Sequence, residues 1–258
     1  MAIEKNYLQL EFGSGMFFDY SKEPKEGYEE HTSTKSNKSY RKYYKEGVSG
    51  VLESVSLYES KFGTQISMNV KEEDNVYFLP VALLDQGDNV DDNFAESLIK
   101  FLPLLNKGDN VKVLGYNFIP KGDQYSKIGM SVSVGGEKLK SKLTNAYYKK
   151  LKDANGEFIK DEKGQFKKEY VEGNIPAIDW QINKLGKNKP TAVSQETKNN
   201  YLLDLVTAET NRLQYVQGEV TQQTKTETPK NKVSTTSLTQ EFEPATNLKK
   251  EEHNDLPF

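Results

Sequence analysis

The two stretches GVSGVLESVSLYESKFGTQISMNVKEEDNVYFLPVALL (residues 47–84) and NVKVLGYNFIPKGDQYSKIGMSVSV (residues 110–134) decide the fold. Along both, apolar and polar residues alternate with the period of two that a half-buried strand requires. Residues 47–58 form the first strand, and the turn Lys61-Phe62-Gly63 leads into a second, residues 65–70, with Ile66, Met68 and Val70 on one face. A turn at residues 72–75 precedes the third strand, residues 76–84. Between the two stretches, NFAESLIKFLPLL (residues 93–105) has helical spacing, and Asn93-x-x-Glu96 predicts a capping box at its start. After the turn Lys107-Gly108-Asp109, residues 110–119 and 125–134 supply the fourth and fifth strands; in the fifth, Ile128, Met130, Val132 and Val134 alternate with Lys127, Gly129, Ser131 and Ser133.

Three strands, a helix and two more strands is the order of an OB fold, a small five-stranded barrel that commonly binds oligonucleotides on one outer face and its loops. The expected chain is therefore mainly β and divides into four parts. Residues 1–45 are an N-terminal extension with a basic, aromatic arm, and residues 46–136 are the OB core with one helix between strands 3 and 4. Residues 137–217 hold a β-ribbon insertion, a return segment and a C-terminal helix packed on the core, and residues 218–258 form a disordered tail. Only 35% of the 258 residues are hydrophobic while 28% are charged, which fits one core with extensions better than two full domains. The formal net charge of -3 excludes a chain that coats nucleic acid with its whole surface but not a local basic groove.

Outward from the core, the sharpest local composition is KSNKSYRKYYK (residues 35–45), with five basic residues, no acid and three tyrosines. Interleaved cations and rings suit a nucleic-acid strand, since cations attract phosphate and rings stack on bases. Lys38, Tyr40, Arg41, Lys42, Tyr43, Tyr44 and Lys45 are therefore candidate contacts. Within the core, if Leu79 and Val81 face inward then Phe78 faces out; if Val111 and Val113 face inward then Lys112, Tyr116 and Phe118 face out, as does Lys127 on the fifth strand. Tyr58 and Phe62 flank the first turn and Tyr125 begins the fifth strand, which completes the candidate set.

No catalytic constellation accompanies these residues. With no cysteine and only His31 and His253 as histidines, thiolate sites and a histidine dyad are excluded, and P-loop, GxGxxG and serine-hydrolase motifs are missing. The acidic DQGDNVDD (residues 85–92) lacks the alternating ligand order of a calcium loop and precedes a helix, so its carboxylates are expected to cap rather than bind metal. No cofactor is expected. Residues 138–170 hold ten lysines against five carboxylates and two similar units, Asp153-Ala-Asn-Gly-Glu-Phe158 and Asp161-Glu-Lys-Gly-Gln-Phe166. Asn155-Gly156 predicts a type I′ hairpin within a projecting ribbon, either a DNA clamp or a soluble protrusion. Trp180, the single tryptophan, is expected to pack a return segment onto the core, and Ser194 to start a helix through Leu213 whose Leu202, Leu205, Val206 and Leu213 stripe docks inward. The first residues lack a basic and apolar leader and no run is long enough to span a bilayer, so the expectation is a soluble, cytoplasmic protein with no membrane partner.

The chain closes on Asp255-Leu256-Pro257-Phe258, preceded by Glu251 and Glu252. Taken with the strand order, this ending resembles the bacterial single-stranded DNA-binding proteins, which end in an acidic run closed by Asp-(Ile/Leu)-Pro-Phe, and the chain looks like a phage-encoded member. The acidic run is shorter than usual and is interrupted by His253-Asn254. What the resemblance implies is sequence-tolerant binding and protection of single-stranded DNA in replication, recombination or repair, in the host cytoplasm for a phage protein. Asp255, Leu256, Pro257 and Phe258 would recruit replication or recombination proteins, with no enzyme activity. An OB-fold RNA-binding or virion structural protein is the alternative. Arg41 and Arg212 are the only arginines, too few for the forked donors that read guanine edges in duplex DNA, whereas lysine suffices for phosphate.

Overall fold

The alternating stretches fold as strands. In chain order the computed structural model has β1 (Glu4–Tyr7), β2 (Gln9–Leu10), β3 (Phe17–Ser21), β4 (Glu29–Thr32), β5 (Lys38–Tyr43), β6 (Val48–Ser60), β7 (Gly63–Glu72), β8 (Asn75–Ala82), α1 (Phe94–Ile99), β9 (Asn110–Phe118) and β10 (Lys127–Val134). There follow β11 (Glu137–Lys138), β12 (Tyr147–Lys150), β13 (Lys168–Val171), β14 (Trp180–Ile182), β15 (Asn188–Pro190) and α2 (Ala192–Gln214). The described residues are 3–32, 38–162, 164–182 and 186–214, all within one unit, Met1–Gln217. The tail expected from residue 218 onward, with its tip Asp255-Leu256-Pro257-Phe258, lies outside them.

A seven-stranded mixed sheet in the order β1-β8-β7-β6-β9-β10-β11 carries the core, and a four-stranded sheet β2-β3-β5-β4 lies in the N-terminal part. The run β8-β7-β6-β9 is a Greek key, because the long β6 pairs with β7 over most of its length and with β9 through Val48 to Val51. Gly50 makes that switch possible: at φ +150°, a Cβ there would stand 2.4 Å from the Lys71 carbonyl oxygen. The inward residues are those the alternation selects, among them Val55, Ile66, Met68, Leu79, Val113 and Val132, all buried.

The expected closed barrel is not formed. Closure would require β8 to pair with β10, and both edges have other partners. Glu4 to Tyr7 run parallel to Asn75 to Phe78 along the outer edge of β8. On β10, Val134 and Ser133 pair with Glu137 and Lys138, Leu139 N–H donates to the Val132 carbonyl at 2.9 Å, and the Ser97 hydroxyl of α1 accepts from Met130 N–H at 2.9 Å and donates to its carbonyl at 3.2 Å. Helix α1 thus satisfies the edge that a barrel would have joined, which leaves an open sheet with a helix against one end.

Three smaller expectations are also corrected. Asn93 makes no capping bond; Asp91 does, its Oδ2 accepting from Phe94 N–H at 2.7 Å and Ala95 N–H at 3.3 Å. Glu96 instead turns inward to Lys198 and Lys100, each at 2.6 Å, because a buried carboxylate is far better satisfied by ammonium groups than by one backbone N–H. In the ribbon, Gly156 has φ +86° but Asn155 is not at positive φ, so the turn is a type I turn closed by a glycine bulge rather than type I′. The Asp153 carboxylate fixes it by accepting from Asn155 and Glu157 N–H, each at 2.9 Å. Trp180 does not pack inward either; it is 54% exposed on β14. Helix α2 docks as expected, with Leu202, Val206 and Leu213 buried in the common core. Among the described residues no helix is long and apolar enough to cross a membrane.

Candidate nucleic-acid interface

The outer face of β6, β7 and β8 carries small polar residues flanked by rings. Ser56, Ser67, Asn69 and Pro80 form its floor, with Asn69 Nδ2 donating to the Ser54 hydroxyl at 2.9 Å. Tyr58 stands near the end of β6, its hydroxyl bonded to Gln65 on the paired strand. Phe62 projects from the β6–β7 turn, which Ser60 organises by accepting from Phe62 N–H at 3.0 Å and donating to the Gly63 carbonyl at 2.9 Å. The Phe62 ring is 78% exposed, with Lys61 Nζ 4.9 Å from its centre.

Phe78 faces out from β8 as its parity requires, and Tyr7 of the neighbouring β1 stacks on it with ring centres 4.5 Å apart and planes 14° from parallel. Phe12 meets Phe94 of α1 edge to face at 5.7 Å. Tyr58, Phe62, Phe12 and Phe94 line a cleft of about 1090 Å³, and an adjoining pocket of about 270 Å³ is bordered by Tyr58, Tyr7 and Phe78. The two share Leu8, Tyr58 and Pro80, so the rings follow one continuous depression. Tyr7 and Phe12 are additions that the sequence reading missed. Their run, residues 7–12, alternates visibly, but nothing in it indicates a strand about 70 residues away as its partner.

Charge in the cleft is uneven. One lysine, Lys61, lies on its wall together with Asp85, Asp91 and Asp92. These carboxylates have partners of their own: Asp85 accepts from Gly87 and Asn89 N–H at 2.8 and 2.9 Å, Asp91 caps α1, and Asp92 pairs with Lys198 at 2.8 Å. Among the described residues no group of three or more histidine, aspartate or glutamate side chains is placed to hold a metal ion.

The β9–β10 hairpin brings a second set of predicted residues together. Tyr116 and Phe118 lie 5.8 Å apart on its outer face, Phe118 is 52% exposed and Tyr125 81%. Lys112 is 3.9 Å from Glu46 and Lys127 is 3.7 Å from Asp123, exposed pairs that water screens. Asn117 ties this hairpin to the cleft wall by donating its side-chain amide to the Phe12 carbonyl at 3.0 Å.

The third set goes elsewhere. Lys38 to Tyr43 form β5, which lies between β3 and β4 as an interior strand rather than a free arm. Arg41 donates to Glu11 at 2.8 Å and lies over the Phe18 ring at 4.4 Å, while the Tyr43 hydroxyl bonds the same Glu11 oxygen at 3.0 Å. Burial would raise the Glu11 carboxyl, but hydrogen bonds from Ser14 and Tyr43 and the Arg41 charge hold it below the usual range. Lys38 pairs with Glu30 at 2.9 Å and Lys45 with Glu29 at 3.6 Å. Tyr44 packs edge to face on Tyr77, 5.7 Å away, next to the core. Of this set, Lys42 is exposed and has no ion-pair partner among the described residues, and Tyr40 is half-buried on the same strand; none of the seven is among the described residues that line the cleft. Compared with models of protein families, with curated proteins and with solved structures, the chain matches none.

Proposed function

We propose that the protein binds single-stranded DNA with little regard to sequence and protects it during replication, recombination or repair. The observation that carries this reading is the ring-lined depression on the outer face of β6, β7 and β8. Bases stack on aromatic side chains whatever their identity, and Tyr58, Phe62, Phe78, Tyr7 and Phe12 offer ring surface along one path. A duplex hides the base faces that such a path needs. The strand order supports the same reading: the strands of residues 46–136 would be an opened OB barrel, in which Phe78 would lie on the strand 2–3 face and Phe62 in the first loop by which OB folds bind oligonucleotides, with Tyr58 beside them at the end of the first strand. Phe118 and Tyr125, at the second such loop, would extend the path. On this reading the protein works in the cytoplasm, and Asp255-Leu256-Pro257-Phe258 recruit replication or recombination proteins to the coated strand.

Titration of fluorescent dT, rU and duplex oligomers at two salt concentrations tests it. Single strands bind well above duplex, and log K falls with log salt by about 0.7 per phosphate neutralised. Phe62→Ala and Phe78→Ala each weaken dT binding by about 1–3 kcal/mol at both salt concentrations, because stacking releases no counterions. Equal affinity for duplex, or dT affinity untouched by both substitutions, would overturn the assignment; rU bound far above dT would make RNA the ligand.

A further inference from the structure

Among the described residues, a strand lying in the cleft meets one lysine and three aspartates. Most of the cations for its phosphates must therefore come from elsewhere. The richest exposed source is the ribbon built by β12 and β13, and its cations are not scattered.

Tyr148 stands opposite Tyr170 and Lys150 opposite Lys168, so all four share one face of the ribbon. Beyond them the chain makes two successive hairpin turns from the same pattern, Lys152-Asp153-x-x-Gly156-x-Phe158 and Lys160-Asp161-x-x-Gly164-x-Phe166. Each pairs its lysine with its phenylalanine across the turn, Lys152 with Phe158 and Lys160 with Phe166. The two phenylalanines meet edge to face at 5.6 Å, and Lys150 Nζ lies 5.6 Å from one ring centre and 4.3 Å from the other. Lys152 and Lys160 sit over the same rings at 4.9 and 5.5 Å. The turn aspartates shape the hairpins: Asp153 accepts from two backbone N–H groups, and Asp161 from Gln165 N–H at 2.8 Å among its contacts. Among the described residues Lys150, Lys152 and Lys160 take part in no ion pair.

The ribbon is anchored at its base. Ala146 N–H donates to the Ile175 carbonyl at 2.8 Å, Ile175 is fully buried, and Asn145 donates to Glu96 at 2.9 Å. At the other end of the β12–β13 pairing Lys168 bridges to Asp179 at 2.8 Å and to the Trp180 carbonyl at 3.0 Å, which ties the start of β14, with its exposed tryptophan, to the ribbon. The ribbon rings are not among the residues of the buried core.

Resting on the single-strand reading above, we infer that this face of the ribbon is a second binding site for single-stranded DNA, with Phe158, Phe166, Tyr148 and Trp180 stacking on bases and Lys150, Lys152 and Lys160 contacting phosphates. An exposed ammonium over a ring is held more weakly than a stacked base. An incoming base therefore displaces the lysine from the ring face and leaves it beside the phosphate of the same nucleotide. The cleft supplies rings with little charge, and the ribbon supplies both.

The test uses full-length protein, a short and a long dT oligomer, anisotropy for affinity and the emission of Trp180, the single tryptophan, for ribbon contact. Two ribbon variants are compared with wild type: Lys150→Gln with Lys152→Gln and Lys160→Gln, and Phe158→Leu with Phe166→Leu, which keeps apolar packing without ring faces. Long dT quenches Trp180 in the wild type. The lysine variant binds long dT about tenfold more weakly, with a log K against log salt slope shallower by about 2, and the leucine variant loses affinity at every salt concentration. Both lose most of the quench, keep wild-type melting temperatures and bind short dT as before. Phe62→Ala, a cleft variant, weakens short and long dT alike but retains the quench at saturation. Ribbon variants that bind long dT with wild-type affinity and slope, or emission unmoved by saturating DNA, would overturn the ribbon site while leaving the cleft. Loss of affinity in the ribbon variants with none in Phe62→Ala or Phe78→Ala would remove the cleft and keep the ribbon; a wild-type protein that binds no dT removes both.

Discussion

Glu96 is 4% exposed yet ionised, and it ties three segments together: Lys100 of its own helix, Lys198 of α2 and Asn145 at the ribbon base. Burial raises a carboxyl, but here the hydrogen bonds from Lys100, Lys198 and Asn145 outweigh it and lower Glu96 from 4.5 to about 2. A carboxylate depressed in the folded state contributes stability that is complete above its unfolded value and is lost as pH falls through the folded one. Wild-type protein therefore loses stability between pH 4.5 and about 2, and Glu96→Gln removes that part of the acid dependence in urea melts at stepped pH. At pH 7 the same substitution costs about 3–5 kcal/mol, because Lys198 keeps a buried charge with one partner fewer. A melt of Glu96→Gln that tracks wild type down the acid limb would mean that Glu96 is not the group responsible. Arg41 is a second residue whose role the surrounding contacts change. Paired with Glu11 and seated on Phe18, it holds the N-terminal sheet, so Arg41→Ala lowers stability by roughly 2 kcal/mol while dT affinity stays within twofold, and Lys42→Ala leaves the melting temperature unchanged.

The loop between β2 and β3 carries Phe12 to the cleft by lying directly on β9. A Cβ at Gly115 would stand 2.2 Å from the Gly15 carbonyl oxygen and 3.1 Å from a Leu10 methyl, so Gly115→Ala must push the loop away. The expected cost is about 1–3 kcal/mol, with a loss of dT affinity as Phe12 leaves Phe94. Gly13→Ala, with no neighbour within 4 Å of the added carbon, is the control in the same loop and should change neither melting nor binding. This contact also marks where the sequence stops being legible. Strand positions, inward faces and the outward parity of Tyr58, Phe78, Tyr116 and Phe118 follow from local alternation, which depends only on which neighbours are apolar. The edges do not. Whether β8 meets β10 depends on β1 taking one edge and Ser97 and β11 the other, and those partners carry no pattern that names them. The same limit holds for residues 38–45: the run of cations and rings is visible, but the carboxylates that pair with Lys38, Arg41 and Lys45 lie on β4 and beside β2. Local charge is visible in a sequence; its pairing across strands is not.

At the scale of the whole molecule, the core ends with α2. Leu213 is its last buried residue, and the structural unit runs to Gln217. Residues 218–258 hold five lysines and seven carboxylates, and they place Asp255-Leu256-Pro257-Phe258 beyond a stretch poor in apolar residues. If the cleft and ribbon bind DNA and the terminal tetrapeptide recruits partners, the two activities separate at a single cut. A chain ended after Gln217 should melt at the temperature of the full-length protein and bind dT with equal or slightly higher affinity, because removing a net negative segment takes away a competitor for the basic ribbon. A chain ended after Asn254 keeps nearly all of the tail and lacks only the tetrapeptide, so it separates the tip from its tether. In pull-downs from host or infected-cell lysate, full-length protein should retain replication or repair proteins that both shortened chains lose. Identical partner sets for the full-length and Asn254 chains would remove the tip from the mechanism, and a large loss of dT binding in the Gln217 chain would mean that the tail itself holds DNA.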